Sequence, residues 1–444
     1  MREKILYIVH CVDAEGPHYE SLEATFERLY DIYGISLAPS GENLRKIQNR
    51  EIDFGRVTEL IARTFSPHML SYNDSWNKID FMLKKILSPE FRNRVLDSFG
   101  NGWIYNWFCV DHVGYDYNPR KKDIGYHKIY DFYKQILQKY NSFQDGIHWH
   151  FHPMSVYKEA HRCATSYVNS PHLYEILCRR IIERNYFPTA VRAGFQTERP
   201  DSHLFFEQWM PFDFSNWSCK SNSAKESERD LRRGRSGDWR LAPDDWSVYQ
   251  PSFDSWQIPG TCRRWIARCI DMLIRGRELP QEEVDKAFAR ADSGKPTLMA
   301  FNNHDFRDMA YEIDCIREKI IKAAKKFPSV KFKFCEAVKA FRSVIYGTNH
   351  NYEPVELSLS LRRNDKELFL EIETTKGKVF GPQPFLAVKT RSKRFIHDNL
   401  DFDTSLLKWS YTFDYDSIHS DDVETIGVAT CDKYGNTFVK VIKF

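Results

Sequence analysis

No run of apolar residues in this chain approaches the ~18 needed to span a bilayer. The opening Met1-Arg2-Glu3-Lys4 passes at once into an apolar strand pattern, leaving no room for a cleavable leader. Both point to a cytoplasmic protein. An excess of one charge is also missing: 64 Lys and Arg stand against 61 Asp and Glu, for a formal net charge of +3, which removes the basic footprint of a nucleic-acid binder. The ten cysteines are scattered from Cys11 to Cys431 without a CxxC pair. They are too sparse for a secreted disulfide scaffold, so reduced and mostly buried thiols are expected. There is no internal repeat and no low-complexity tract. What is abundant is aromatic: 15% of residues, with 11 Trp and 23 Tyr, serving core packing first and, in a pocket, the flat apolar faces of sugar rings. At 444 residues the chain exceeds what one core usually serves, predicting a large domain with a smaller one attached.

The first strand is Ile5-Leu6-Tyr7-Ile8-Val9, running into Asp13-Ala14-Glu15-Gly16-Pro17. Helical spacing follows through Leu22, Phe26, Leu29 and Tyr33, then through Val57, Leu60, Ile61 and Phe65, then over 79–87. Strand and helix next alternate: a strand over 103–110 opening on Asp111 and His112, a helix over 126–140, a strand ending in a histidine cluster, a helix over 172–185, a strand over 189–194 and an apolar segment over 209–214. A long irregular loop is expected over 218–260. Helices over 263–274 and 281–290 precede a sixth strand at 296–301, which delivers Asn302-Asn303-His304-Asp305. A helix over 309–326, a seventh strand over 330–335 and a helix over 336–345 close the unit. Such alternation predicts a parallel α/β barrel or doubly wound sheet. Beyond Tyr346 the apolar period falls to two, as in Val355-Glu356-Leu357-Ser358-Leu359, predicting a small antiparallel β-sandwich. The expected domains are thus 1–346, with a helical insertion about 18–102, and 354–444.

Chemistry concentrates where strands end, the face on which barrels gather their catalytic groups. His148-Trp149-His150-Phe151-His152-Pro153 puts three imidazoles into five positions after an apolar lead-in, and neutral imidazole is the commonest nitrogen ligand for zinc-like ions. Positions i, i+2 and i+4 of an extended strand face one side, so all three could ligate. A turn at the strand end, moving one away, favours two. Asp13 and Glu15 deliver carboxylates to the same face. His18, His112 and His203 are expected to be incidental, although Asp111 and His112 belong to a region able to contribute to the pocket. The run Arg263-Arg264-Trp265-Ile266-Ala267-Arg268 reads as a solvated basic helix face, suited at most to a diphosphate.

The order Asp-x-Glu-Gly, His-x-x-x-His-Pro, Arg-x-Gly, an Asp/Trp segment and a late strand-end His resembles the polysaccharide deacetylase (NodB-like, carbohydrate esterase family 4) superfamily over roughly residues 4 to 345. Within it, the chain is similar to deacetylase-like proteins of O-antigen and capsule biosynthesis. The resemblance implies a deformed (β/α)7 barrel and a metal-dependent hydrolase, with Zn2+ as the expected ion, removing N-acetyl groups from an amino sugar of a nucleotide- or lipid-linked polysaccharide precursor. It further implies Asp13 as base, Arg192 as the residue orienting it, Glu15, His148 and His152 as ligands, and His304 as acid. Asp213 is the expected carboxylate partner of His304. The chemistry is coherent: three protein ligands with an open position acidify a water, a non-ligating carboxylate takes its proton, and a histidine protonates the leaving nitrogen. Two departures stand out. The family's adjacent Asp pair is here Asp13-Ala14-Glu15, leaving open which carboxylate ligates, and Asp13 lies unusually far before His148. The alternative is an inactive scaffold of this type that binds a glycan or assembly partner.

Overall fold

The computed structural model describes residues 3–219, 237–348, 350, 352–364 and 366–444. Of the expected 218–260 loop, residues 220–236 lie outside the described residues. Seven parallel strands form a closed ring: β1 (Ile5–Ala14), β2 (Tyr105–Val110), β3 (Gly146–Phe151), β4 (Ala190–Ala193), β5 (Phe212–Asn216), β6 (Trp265–Asp271) and β7 (Thr297–His304). Closure comes from β7 on β1, paired from Leu6 with Thr297 to Asp13 with His304. The protein is therefore a seven-stranded α/β barrel followed by antiparallel sheets, and closure rules out the doubly wound sheet.

The seven strands are not the seven expected. The segment expected as a helix over 263–274 is β6, and its arginines are not on a solvated face. Ile266, Ala267, Cys269 and Ile270 are buried, and Arg264 and Arg268 are 0% exposed. Arg264 is paired with Glu198, Glu207 and Asp213, and Arg268 with Glu283. A parallel strand buried on both faces reads as a continuous apolar run, and two internally neutralised arginines disguise this one as an amphipathic helix. Conversely, the expected seventh strand, β8 (Lys331–Phe334), lies outside the ring. It pairs with Ile5–Ile8, below the point where β2 takes over the same edge of β1 at His10.

Period-two alternation sorts each strand into an inner and an outer face. Tyr7, Val9 and Cys11 of β1, Phe108, Ala190, Phe212, Phe214, Ala267, Cys269, Leu298 and Ala300 make one buried cluster drawn from six ring strands, which is the barrel interior. Leu6, Ile8 and Val12 point the other way, into the core shared with the surrounding helices Lys128–Lys139 and Met309–Lys326. The interior series of β1 continues 7, 9, 11, 13, 15, so alternation alone carries Asp13 and Glu15 to the inner side of the strand-end mouth.

Between β1 and β2 the chain forms a helical insertion with a small core of its own. Helix Leu22–Tyr33 starts where the Ser21 hydroxyl accepts the Ala24 N–H, and it stops at Gly34, whose φ of 72° suits glycine. Its buried stripe of Phe26, Leu29, Ile32 and Tyr33 packs on Ile47, Ile61 and Phe65. Helix Trp76–Ile86 ties the insertion to the barrel through Ile79, Leu83 and Ile86. At the other end of the chain, two four-stranded antiparallel sheets share a core of Leu370, Ile372, Leu386, Val388, Ile426 and Val428. The alternate residues Phe385, Ala387, Ala429 and Cys431 pack on the barrel helix Leu173–Arg184 and on Trp209. Among the described residues, no helix is long and apolar enough to cross a membrane.

Candidate metal centre

Glu15, His150 and His152 converge at the mouth, each offering one ligand atom, all within 4.8 Å of one another. The two imidazole Nε2 atoms are 2.8 Å apart, and Glu15 Oε1 lies 3.8 Å from His152 Nε2. His150 Nδ1 is 2.9 Å from the Arg192 carbonyl oxygen, which can only accept. The ring therefore carries its hydrogen on Nδ1 and turns the Nε2 lone pair toward the cluster, the usual support for a ligating histidine. Burial first, then the neighbouring His150, lowers the His152 pKa to about 3 against the pull of Glu15, so this imidazole is neutral at ordinary pH. Burial pushes the Glu15 carboxyl up, but the charge of Lys122, with His152 and His304 nearby, outweighs it and holds the group well below the usual carboxylate range. A carboxylate and two imidazoles are the donor set of an open zinc-type site, and the residues present fit a divalent ion.

In this cluster His150 stands where His148 was expected. The interior series of β3 runs 148, 150, 152, and His148 is the deepest of the three. Its Nε2 lies 3.3 Å from Asn106 Oδ1 and 3.3 Å from a Glu336 carboxylate oxygen, with its ring against Phe108. β3 ends at Phe151, and the turn beyond it keeps His152 beside His150 rather than swinging either away.

Asp13 stands next to the cluster without joining it. Arg192, 0% exposed, holds it with two hydrogen bonds, Nε to Oδ1 at 2.6 Å and Nη2 to Oδ2 at 3.0 Å. Burial opposes ionisation, but Arg192 and then His150 overcome it, and the Asp13 pKa falls to about 2. His304 Nε2 is 3.9 Å from both Asp13 Oδ2 and Glu15 Oε1. Burial lowers its pKa in spite of those carboxylates.

Asp213, the expected partner of His304, is elsewhere. Phe212 and Phe214 occupy the interior, so Asp213 faces outward, accepting from Arg264 Nη1 at 3.0 Å and from the Ser215 N–H. The further carboxylate whose charge His304 feels is Asp271 at the end of β6. Asn302 Nδ2 bridges Asp271 Oδ1 at 3.0 Å and Asp13 Oδ2 at 3.4 Å, while Asp271 Oδ2 and His304 Nδ1 are buried without a hydrogen bond. Asp111 likewise faces outward, held by Arg180 and Trp149.

Four further residues shape the centre. Lys122 Nζ sits 2.7 Å from Glu15 Oε2. His112 donates from Nε2 to the Glu15 carbonyl at 3.1 Å, so it is not incidental. Asp305 accepts the N–H groups of Glu15 and Gly16 and the Tyr133 hydroxyl, and burial, outweighing those bonds, raises its pKa to about 7. Asp271 was hidden by the helical reading of its strand. Lys122 lies on an irregular loop, where neither period nor motif marks it. Of the remaining histidines, His18 packs against Tyr72 and Phe306, and His203 faces Arg264.

The fold and centre define a class: a closed parallel α/β barrel with a Glu/His/His cluster at its strand-end mouth that could hold a metal ion. Compared with known protein families, with curated proteins and with solved structures, the chain matches none.

Proposed function

We propose that the protein is a metal-dependent hydrolase of the polysaccharide deacetylase kind, removing an N-acyl group from an amino sugar of a polysaccharide precursor, with Zn2+ as its ion. The observation that carries this reading is one constellation: the Glu15, His150 and His152 cluster with the Asp13–Arg192 pair and His304 beside it. The chemistry such an ion supplies is acidification of a water and polarisation of the scissile carbonyl. The rest belongs to the chain. Arg192 keeps Asp13 ionised and aimed, so that Asp13 accepts the proton of the attacking water. His304 rests neutral because burial lowers its pKa, so the proton it passes to the leaving nitrogen is gained during the reaction, across the short gap from Asp13. The aromatic group of His18, Tyr72 and Phe306, with Phe306 tilted against His304, offers a sugar ring the apolar wall it needs.

The test is metal content and hydrolysis in parallel. Elemental analysis is expected to find one ion per wild-type chain, lost in His150→Ala and Glu15→Gln but kept in His148→Ala. A screen of N-acyl amino sugars, free and nucleotide-linked, is expected to give hydrolysis that drops at least a hundredfold in His150→Ala. Retention of metal by His150→Ala together with its loss in His148→Ala would refute the ligand assignment. A wild type that binds no metal and hydrolyses nothing leaves the scaffold reading.

A further inference from the structure

The ammonium of Lys122 is nearly enclosed, its side chain 3% exposed, and it lies against a carboxylate of the metal cluster. Burying a lone cation is costly unless it is paired, so its position needs an account. The loop that carries it is clamped from several sides. Asn118 takes the Lys122 N–H on Oδ1 at 2.8 Å and donates from Nδ2 to the Lys122 carbonyl at 2.6 Å. The next residue, Asp123, accepts Trp76 Nε1 at 2.9 Å from the helical insertion, and the Arg120 carbonyl accepts the Tyr19 N–H. The ammonium itself stands 4.9 Å over the Phe306 ring.

The two oxygens of Glu15 are thereby given different partners. Oε2 is on Lys122 at 2.7 Å, while Oε1 faces His152 and His304 at 3.8 and 3.9 Å. An ammonium has donors and no lone pair, so it cannot join a coordination sphere. It can only hold one oxygen of the ligand and oppose an incoming cation. We propose that Lys122 is a positioning residue that restricts Glu15 to single-oxygen ligation through Oε1 and lowers the affinity of the centre for its ion, an inference that rests on the metal-site reading above. Two physical effects act together. The lysine cancels the charge of the only anionic ligand, so a divalent ion meets a neutral donor set, and cations a few ångströms apart in a poorly solvated pocket repel strongly. Occupation of Oε2 also prevents a two-oxygen grip by Glu15, keeping a coordination position open for water or substrate.

The experiment measures Zn2+ affinity of the full chain by competition with a chromophoric chelator, in wild type, Lys122→Met, Lys122→Gln and Lys122→Arg. The two neutral variants are expected to bind Zn2+ at least tenfold more tightly than wild type, and Lys122→Arg to stay within about threefold. The thermal shift on adding Zn2+ is expected to grow in the same order, since a ligand stabilises the native state according to its affinity. Equal or weaker Zn2+ binding in both neutral variants, with wild-type binding intact and all proteins folded by circular dichroism, overturns the inference and leaves the metal reading standing. If wild type takes up no Zn2+, the metal reading fails for the native protein. In that background, one ion gained by Lys122→Met would support the lysine as the group that withholds Glu15, and no gain would overturn both.

Discussion

Two buried clusters of charge lie on opposite faces of the same barrel wall, and they are built differently. On the outside, Arg264 reaches Asp213 at 3.0 Å, Glu198 at 2.6 Å and His203 Nδ1 at 2.9 Å, with Glu207 alongside. Its groups meet at hydrogen-bonding distance around one guanidinium, as charges do when each is buried to satisfy another. On the inside, Glu15 Oε1 stands 3.8 to 3.9 Å from two imidazole nitrogens, His304 keeps the same distance from Asp13, and the supporting bonds run outward from the cluster to the Arg192 carbonyl, Lys122 and Asp305. The outer group is centred on one guanidinium, whereas the inner one, apart from the 2.8 Å contact between its two imidazoles, is held mainly from behind. Burial and unusual pKa values are common to both, so neither marks function. The proposed reading rests instead on the direction of the bracing bonds.

The largest expected effect breaks the outer cluster. Arg264→Met leaves Glu198, Glu207 and Asp213 without their cation at a fully buried position, and removal of one partner from such a group costs about 3–5 kcal/mol. Chemical denaturation is expected to show that loss while the folded fraction keeps the wild-type metal content. Metal lost along with stability would mean that the two clusters are not separable.

Asp13 belongs in part to each type, bonded twice to Arg192 yet facing His304 and the ligands. Asp13→Asn is expected to cost less than Arg264→Met, about 2–3 kcal/mol, because the amide still offers Arg192 one acceptor where two stood. It is also expected to keep one metal ion per chain, because Asp13 lies outside the ligand cluster, and to abolish hydrolysis. Elemental analysis of Asp13→Asn beside Glu15→Gln decides which carboxylate ligates, and metal lost only from Asp13→Asn would reverse the assignment.

Much of this contrast is legible from alternation in the sequence. Once Tyr7, Val9 and Cys11 are read as interior, Asp13 and Glu15 follow, and the same parity on β3 admits His148, His150 and His152 together. Parity cannot say how deep the mouth lies, and so it cannot choose between His148 and His150, of which the structure groups His150 with Glu15 and His152. The assignment of Asp213 was avoidable, because its apolar neighbours Phe212 and Phe214 claim the interior and an odd position between them faces out. Asp271 was lost for another reason. Arg264 and Arg268 gave a buried strand the look of a helix, and their neutralisation by Glu198, Glu207, Asp213 and Glu283 is long-range pairing that no local period contains. Lys122 is less legible still, since it reaches Glu15 only because Asn118 and Trp76 fix the loop on which it sits.

The remaining expected effect tests the bracing itself. Asp305 holds the turn that carries Glu15 through two backbone N–H groups. Its pKa in the folded chain is about 7 against an ordinary 3.8, so between those values the native state binds a proton that the unfolded chain has released. Stability contributed by this group is present in full below the unfolded pKa, falls as pH rises through the window and is gone above about pH 7. Denaturation at pH 5 and pH 8 is expected to show wild type weakening relative to Asp305→Asn, whose side chain does not titrate. If the difference between the two proteins is the same at both pH values, Asp305 is ionised throughout, and its hold on the Glu15 turn is then that of a charged acceptor, closer to the outer cluster than to a neutral brace.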